Sequence, residues 1–252
     1  MWRRSYLSAV GAAGIGAVGG CLGGPAGESS RGDLAVETVV DGLTHPWGLA
    51  VGGPDGALWV TERDTGQLRR VDPDAGTTTA IDGTPTVDTA GQGGLLDVTW
   101  DPDGEWIYLT YVVANETGET TTRLGRGRLA GDGGGNAEGK PFIDDNGHYG
   151  SRVAFGPEGY LYMTVGDRQF KNFGPDHVAQ DRTNDLGTTL RLRPDGSIPS
   201  DNPFVDDAEA RDAIYSYGHR NAQGLDVHPE TGAIWESEFG ESDGDEINRI
   251  ER

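Results

Sequence analysis

Cysteine is almost absent from the sequence. The single copy, Cys21, cannot form an intramolecular disulfide, so this is not a small disulfide-stapled domain. Positive charge is also scarce: 20 Lys and Arg stand against 41 Asp and Glu, a net charge of −21. So acidic a chain repels nucleic acid and anionic membrane surfaces, which argues against a role on either. The acidity fits a halophilic protein that acidic side chains keep hydrated and soluble at very high salt. No stretch shows sustained helical periodicity, which argues against a helix bundle. The one long apolar run, Leu7 to Val18, is too short and too rich in glycine to span a bilayer.

Glycine is abundant, at 42 of 252 residues, about twice its usual share. No G-X-Y period accompanies it, and the glycines lie mostly beside Pro, Asp and Asn, as in a fold with many tight turns. The first residues are ordered differently. Arg3-Arg4 precedes a small-residue apolar run that ends in Val18-Gly19-Gly20-Cys21. This is the layout of an export signal, and the paired arginines point to the twin-arginine (Tat) route. The ending resembles a lipoprotein lipobox, with Cys21 as the lipid-anchored first residue of the mature chain. Residues 1–21 are therefore expected to be a signal peptide and 22–32 a flexible tether. That places the rest of the protein, secreted or lipid-anchored, on the outer face of the cell membrane.

From residue 33 one unit recurs. PDGALWVTER (54–63), PDGEWIYLTY (102–111), PEGYLYMTVGDR (157–168) and PETGAIWESE (229–238) each place a Pro-acid-Gly-type turn before a strand of alternating aromatic and aliphatic residues. A strand often precedes the turn, as at Leu95–Trp100, and another often follows, as at Gln67–Val71. Several strands per repeat at this period indicate an all-β fold, a β-propeller. The uneven spacing argues against a β-helix and the repeated hairpin against a sandwich. The propeller domain is expected over 33–252, with about four blades in this chain. Insertions between the units suggest a larger ring, so the chain is expected to be the N-terminal part of a longer protein.

Four segments break the pattern: 91–95 with Gln92, 146–152 with His148, 166–186, and 214–248. The last holds His219-Arg220-Asn221 and the acidic loop Glu241, Asp243, Asp245, Glu246. An arginine fork suits carboxylates, and carboxylate or carbonyl oxygens suit calcium. Loops at one end of propeller strands converge on the axis, where sites are built. His148, in a glycine-flanked loop, is the strongest candidate for a general base, and a hydrogen-bonded structural role is equally open for it. His45, His177 and His228 go with turns, as structural or solvated residues, and His219 is ambiguous.

Taken together, GQGGLLDV (91–98), HYGSRVAFGPEGYLYMTVGD (148–167), AQDRTNDLGTTLRLRPDGSIPSDNPF (179–204) and SYGHRNAQGL (216–225), with the acidic stretch to Asn248, resemble the soluble PQQ-dependent glucose and aldose sugar dehydrogenases. The resemblance implies a six-bladed propeller carrying pyrroloquinoline quinone (PQQ) and calcium. It implies oxidation of the anomeric carbon of an aldose to a lactone, with electrons passed to an external acceptor. His148 resembles the family's base. Gln92, Arg220, Asn221 and Asp245 resemble residues at the cofactor, with Arg220 also offsetting charge on the reduced quinone. The backbone carbonyls of Gly240 and Glu241 resemble ligands of the cofactor's calcium, and Glu246 a ligand of a separate structural calcium. The sequence departs from the family at Gly147, where glucose dehydrogenases have an acid. It departs also at Arg168 and Phe239, where some members have glutamine, and at Thr188, where lysine is common. Two other readings stand beside this one: a calcium-dependent lactonase of the related propeller type, and a non-catalytic propeller that binds a glycan or protein.

Overall fold

The four Pro-acid-Gly-type turns each close a hairpin. Their glycines, Gly56, Gly104, Gly159 and Gly232, all take positive φ, between 65° and 77°, which only glycine adopts without strain. The computed structural model describes residues 35–129 and 147–251. The expected signal peptide (1–21, with Cys21) and tether (22–32) lie outside the described residues. Residues 35–39 carry no strand, and all that follows concerns the unit from Val40 onward.

Among the described residues fourteen strands form four antiparallel sheets, each a meander in chain order. The first contains β1 (Pro46–Gly52), β2 (Ala57–Glu62), β3 (Gln67–Asp72) and β4 (Thr77–Ile81). The second contains β5 (Leu95–Trp100), β6 (Ile107–Ala114) and β7 (Thr120–Gly127). The third contains β8 (Val153–Phe155), β9 (Leu161–Val165), β10 (Thr188–Leu192) and β11 (Ile214–Tyr217). The fourth contains β12 (Ala222–Val227), β13 (Ile234–Glu238) and β14 (Glu246–Ile250). Among the described residues the only helical element is a 3-10 turn at Val178–Gln180.

The core lies between successive sheets. Trp59 and Leu68 of the first pack on Trp100, Ile107 and Tyr111 of the second. Tyr108 and Leu124 of the second pack on Leu161, Met163 and Leu190 of the third. Tyr162 of the third meets Ile234 and Ile250 of the fourth. The first strands are neighbours across sheets: β1 lies by β5, β5 by β8, and β8 by β12. Sheets stacked face to face, with their first strands clustered, are the blades of a β-propeller around its axis. The outer face of each end sheet stays open. Leu49 and Val51 are exposed on the first, and Trp235 and Ile247 on the fourth.

A repeated threonine relay fixes this radial order. The first strand enters through a register irregularity in the first and second sheets, and in the third Ser151 and Arg152 both face Thr164 just ahead of β8, so that in each one backbone N–H is freed from the ladder. The hydroxyl of a second-strand threonine takes up that N–H: Thr61 accepts from Gly48, Thr110 from Asp97 and Thr164 from Arg152. The same hydroxyl then donates across to the next sheet, from Thr61 to the Leu96 carbonyl, Thr110 to Ser151 and Thr164 to Ala222. All three threonines are fully buried. Ser237 stands at the fourth equivalent position, opposite Gly224, and is exposed.

A buried ion pair ties the first strands further. Asp97 accepts from the Val153 N–H at 2.9 Å and from Arg152 Nη1 at 3.1 Å. Arg152 also donates to the Gln223 carbonyl at 2.6 Å and the Trp47 carbonyl at 3.3 Å. One arginine, just ahead of β8, thereby reaches residues of the three other sheets. Burial pushes the Asp97 carboxyl up, and Arg152 offsets only part of that effect.

Replacing Thr110 by Val keeps its shape but orphans the Asp97 N–H and the Ser151 carbonyl. The variant should lose about 1–3 kcal/mol in urea unfolding, and Thr110→Ser clearly less. Equal stability of the Val and Ser variants would remove the relay as a stabilising element.

Candidate active site

In an antiparallel hairpin the start of the first strand and the end of the second share one edge. Gln92 lies just before β5, His148 just before β8, and Arg220 and Asn221 just before β12. Asp167 follows β9, and Gly240 and Glu241 follow β13. The candidate residues therefore meet at one end of the first strands.

His148 is 7% exposed and sits at φ 46°, a left-handed conformation that a non-glycine residue adopts only under constraint. Three contacts hold it there. Its backbone N–H donates to Gln92 Oε1 at 2.9 Å. Its Nδ1 lies 2.6 Å from Asp167 Oδ1. Its carbonyl lies so close to Gly166 that a Cβ at that residue would come within 2.0 Å of it. Asp167 is buried, and its own N–H donates to the Arg220 carbonyl at 2.8 Å. With Asp167 as acceptor, Nδ1 carries the proton and Nε2 holds the lone pair, a tautomer set by the carboxylate. Among the described residues no protein group bonds to Nε2.

His177 stands behind this pair. Its Nε2 lies 3.5 Å from Asp167 Oδ2, an oxygen that accepts no hydrogen bond, and 2.9 Å from the Phe170 carbonyl. Its Nδ1 accepts from the Ala179 N–H and caps the 3-10 turn. Arg168 is buried as a brace. It donates to the Gly147 carbonyl, to the Thr120 carbonyl and to Thr120 Oγ1, and it lies over the Tyr149 ring at 4.4 Å. At Gly147 a Cβ would meet Gln169 Nε2 at 1.8 Å, so the Gln169 amide fills the space beside that glycine.

Asn221 joins the group through Oδ1, which accepts from the Gly150 N–H at 3.2 Å. Arg220 donates to the Phe239 carbonyl at 3.0 Å and forks onto Glu241, which Lys171 also binds. These two cations hold the exposed Glu241 carboxyl below its ordinary range, Lys171 first and then Arg220. Asp245 accepts from the Gly240 N–H at 3.0 Å and fixes the turn that carries the Gly240 and Glu241 carbonyls. Glu246 lies apart from these residues, at the start of β14 opposite Glu238.

Gln92, His148, Arg220, Asn221, Gly240, Glu241 and Asp245 are thus linked in one network, and Glu246 faces elsewhere. Asp167, His177 and Arg168 complete it. Sequence reasoning had no role for Asp167 or Arg168, although Gly166-Asp167-Arg168 at a strand end was visible as a break in the pattern. His177 read as a turn residue.

An axial histidine-carboxylate pair on a propeller, flanked by cations and amides, defines a class of propeller sites suited to proton abstraction beside an anionic ligand. The family follows from comparison. Residues 43–252 match the model of the glucose/sorbosone dehydrogenase family, and the chain belongs to that family. It is 37% identical over 222 residues to the aldose sugar dehydrogenase YliI of Escherichia coli K12, covering 84% of this chain and 58% of YliI. It is 32% identical over 257 residues to quinoprotein glucose dehydrogenase B of Acinetobacter calcoaceticus, covering 85% of this chain and 50% of that protein. The PQQ-bound aldose sugar dehydrogenase of Streptomyces coelicolor superposes with a TM-score of 0.67 at 33% identity, over 86% of this chain and 63% of that one. The chain thus spans between half and two thirds of the length of these relatives.

Alanine at Gly166 should push the His148 carbonyl away, costing about 1–3 kcal/mol in thermal or urea unfolding. It should also move the His148 ring resonances in NMR spectra. Unshifted resonances would mean that Gly166 does not set the histidine.

Proposed function

We propose that this chain carries the base and much of the cofactor site of a PQQ- and calcium-dependent dehydrogenase that oxidises aldose sugars at the anomeric carbon. The observation that carries the reading is the buried His148–Asp167 pair, with no group among the described residues bonded to Nε2. In this reading Nε2 takes the proton of the anomeric hydroxyl, and Asp167 holds the ring and stabilises the imidazolium that forms. Gln92 keeps the His148 backbone in its left-handed conformation.

The donor set suits a planar quinone bearing carboxylates. Arg220 and Lys171 already clasp one carboxylate, that of Glu241, and the Gln92 and Asn221 amides lie nearby in the network. Arg220 and Asn221 would hold the cofactor, with Arg220 countering negative charge as it is reduced. The carbonyls of Gly240 and Glu241 would hold calcium, on a turn steadied by Asp245. When bound, PQQ supplies the two-electron acceptor for the C1 hydride and calcium the Lewis-acid polarisation. Glu246 is assigned to a separate structural calcium. The lactone is the product, and electrons leave to an external acceptor. The same reading exports the protein by the twin-arginine route and anchors it through Cys21, outside the cell and in high salt.

With PQQ and calcium added, His148→Ala should lower kcat for aldose-driven dye reduction by about 10²–10⁴-fold. Bound PQQ absorbance should remain. Asp167→Asn should lower kcat by roughly tenfold or more, because the ring can then adopt the wrong tautomer. Undiminished turnover in His148→Ala would sink the assignment.

A further inference from the structure

Between the third and fourth sheets lies a second histidine site that the proposed reaction does not use. His219 follows β11, and Glu236 and Glu238 lie two apart on β13, on the face turned to the third sheet. His219 Nδ1 is 3.3 Å from Glu238 Oε2 and 3.7 Å from Glu236 Oε2, and the three ligand atoms all lie within 4.8 Å of one another. Glu236 is 1% exposed and the Glu238 side chain 9%. Neither Oε2 accepts a well-formed hydrogen bond, although both point at the imidazole. Among the described residues no Lys or Arg pairs with either carboxylate.

We infer that His219, Glu236 and Glu238 form a binding site for a divalent transition metal of the zinc class, separate from the cofactor's calcium and from Glu246. Three observations support it. The first is spacing. Ligands at about 2.0–2.1 Å from a tetrahedral ion stand roughly 3.3–3.4 Å from each other, close to both measured His219–carboxylate separations. The second is the surrounding shell. Metal-binding histidines donate their other ring N–H to an oriented acceptor, and metal-binding carboxylates are themselves hydrogen-bonded. His219 Nε2 meets Ser216 Oγ at 2.9 Å, and Thr189 Oγ1 donates to the remaining oxygen of Glu236. The His219 backbone is fixed as well: its N–H donates to the Gly187 carbonyl at 3.0 Å, and a Cβ at Gly187 would meet its carbonyl at 2.3 Å.

The third is charge. Two buried carboxylates beside a neutral imidazole leave two uncompensated charges, which one divalent cation cancels. Even a proton on the ring cancels only one of them. An imidazole ligand selects against calcium and magnesium, which prefer all-oxygen sites. Water would complete the coordination.

The test strips the chain with chelator, loads it with zinc in the presence of millimolar calcium, desalts it and measures metal content. Cobalt(II) serves in parallel as a visible-absorption probe. One equivalent of zinc should remain, and Glu236→Gln should lose it. Ser216→Ala, which leaves all three ligands in place, should weaken zinc binding by about 10–100-fold. It keeps the inference testable should Glu236→Gln not fold. A folded wild-type chain that retains no zinc would show that a proton alone occupies the cluster, and would overturn the inference. Equal zinc retention in Glu236→Gln or Ser216→Ala, or displacement of zinc by calcium, would overturn it as well.

Discussion

The structure depends on what holds the first strands together, and that is a polar device. Sheets packed face to face through Trp, Tyr and Leu could slide along one another, because hydrophobic contact has no direction. The threonine relay removes that freedom. Each hydroxyl of Thr61, Thr110 and Thr164 has one donor in its own sheet and one acceptor in the next, so the height and order of the sheets are set together. Arg152, just ahead of β8, adds contacts to the three other sheets, anchored on Asp97. Both groups sit in the interior, where a polar atom left unpaired is costly, so a slipped register is penalised at several bonds at once.

The same constraint places the chemistry. The irregularities that free the Asp97 and Arg152 N–H groups occur where the first strands begin, and the candidate residues occupy the loops that lead into them. His148 inherits its position from this frame. Ser151 and Arg152, three and four residues on, are locked to Thr164, and Thr164 leads directly to Gly166 and Asp167. His148 and its partner Asp167 thus lie at the two strands of one hairpin, which limits their relative motion. Arg168 closes the arrangement from behind, with its charge spent on backbone carbonyls and an aromatic face rather than on a ligand.

Much of this was legible in the sequence, for a physical reason. The hairpin cassette is local: a turn glycine with positive φ, then alternating strand residues, all within about ten positions. Hence the strands around Leu95–Trp100, Gln67–Val71 and Ile234–Ser237 were readable, and the sheet order followed from chain order. The relay was not readable. Its threonines lie within the cassettes, but their cross-sheet partners are 35, 41 and 58 residues away, and nothing local marks a hydroxyl that bonds across a sheet boundary. For the same reason His148 stood out by its glycine-rich loop, whereas Asp167, whose role rests on a partner 19 residues back, did not. Phe239 contributes a carbonyl to Arg220, a role that side-chain identity cannot signal.

Three buried acidic centres show how differently one fold compensates charge. Asp97 has a guanidinium and backbone N–H groups. Asp167 has one close histidine, a second at longer range and the Gln169 N–H. Glu236 and Glu238 share a single imidazole, with one oxygen of each left without a bond. In a chain with so few cations, the first arrangement uses a scarce arginine where four sheets meet, and the second uses histidines. The third has no fixed cation among the described residues, only the His219 ring between the two carboxylates. A buried site with two acids and one ring, oriented by Ser216 and Thr189, is one whose balance is completed from solution.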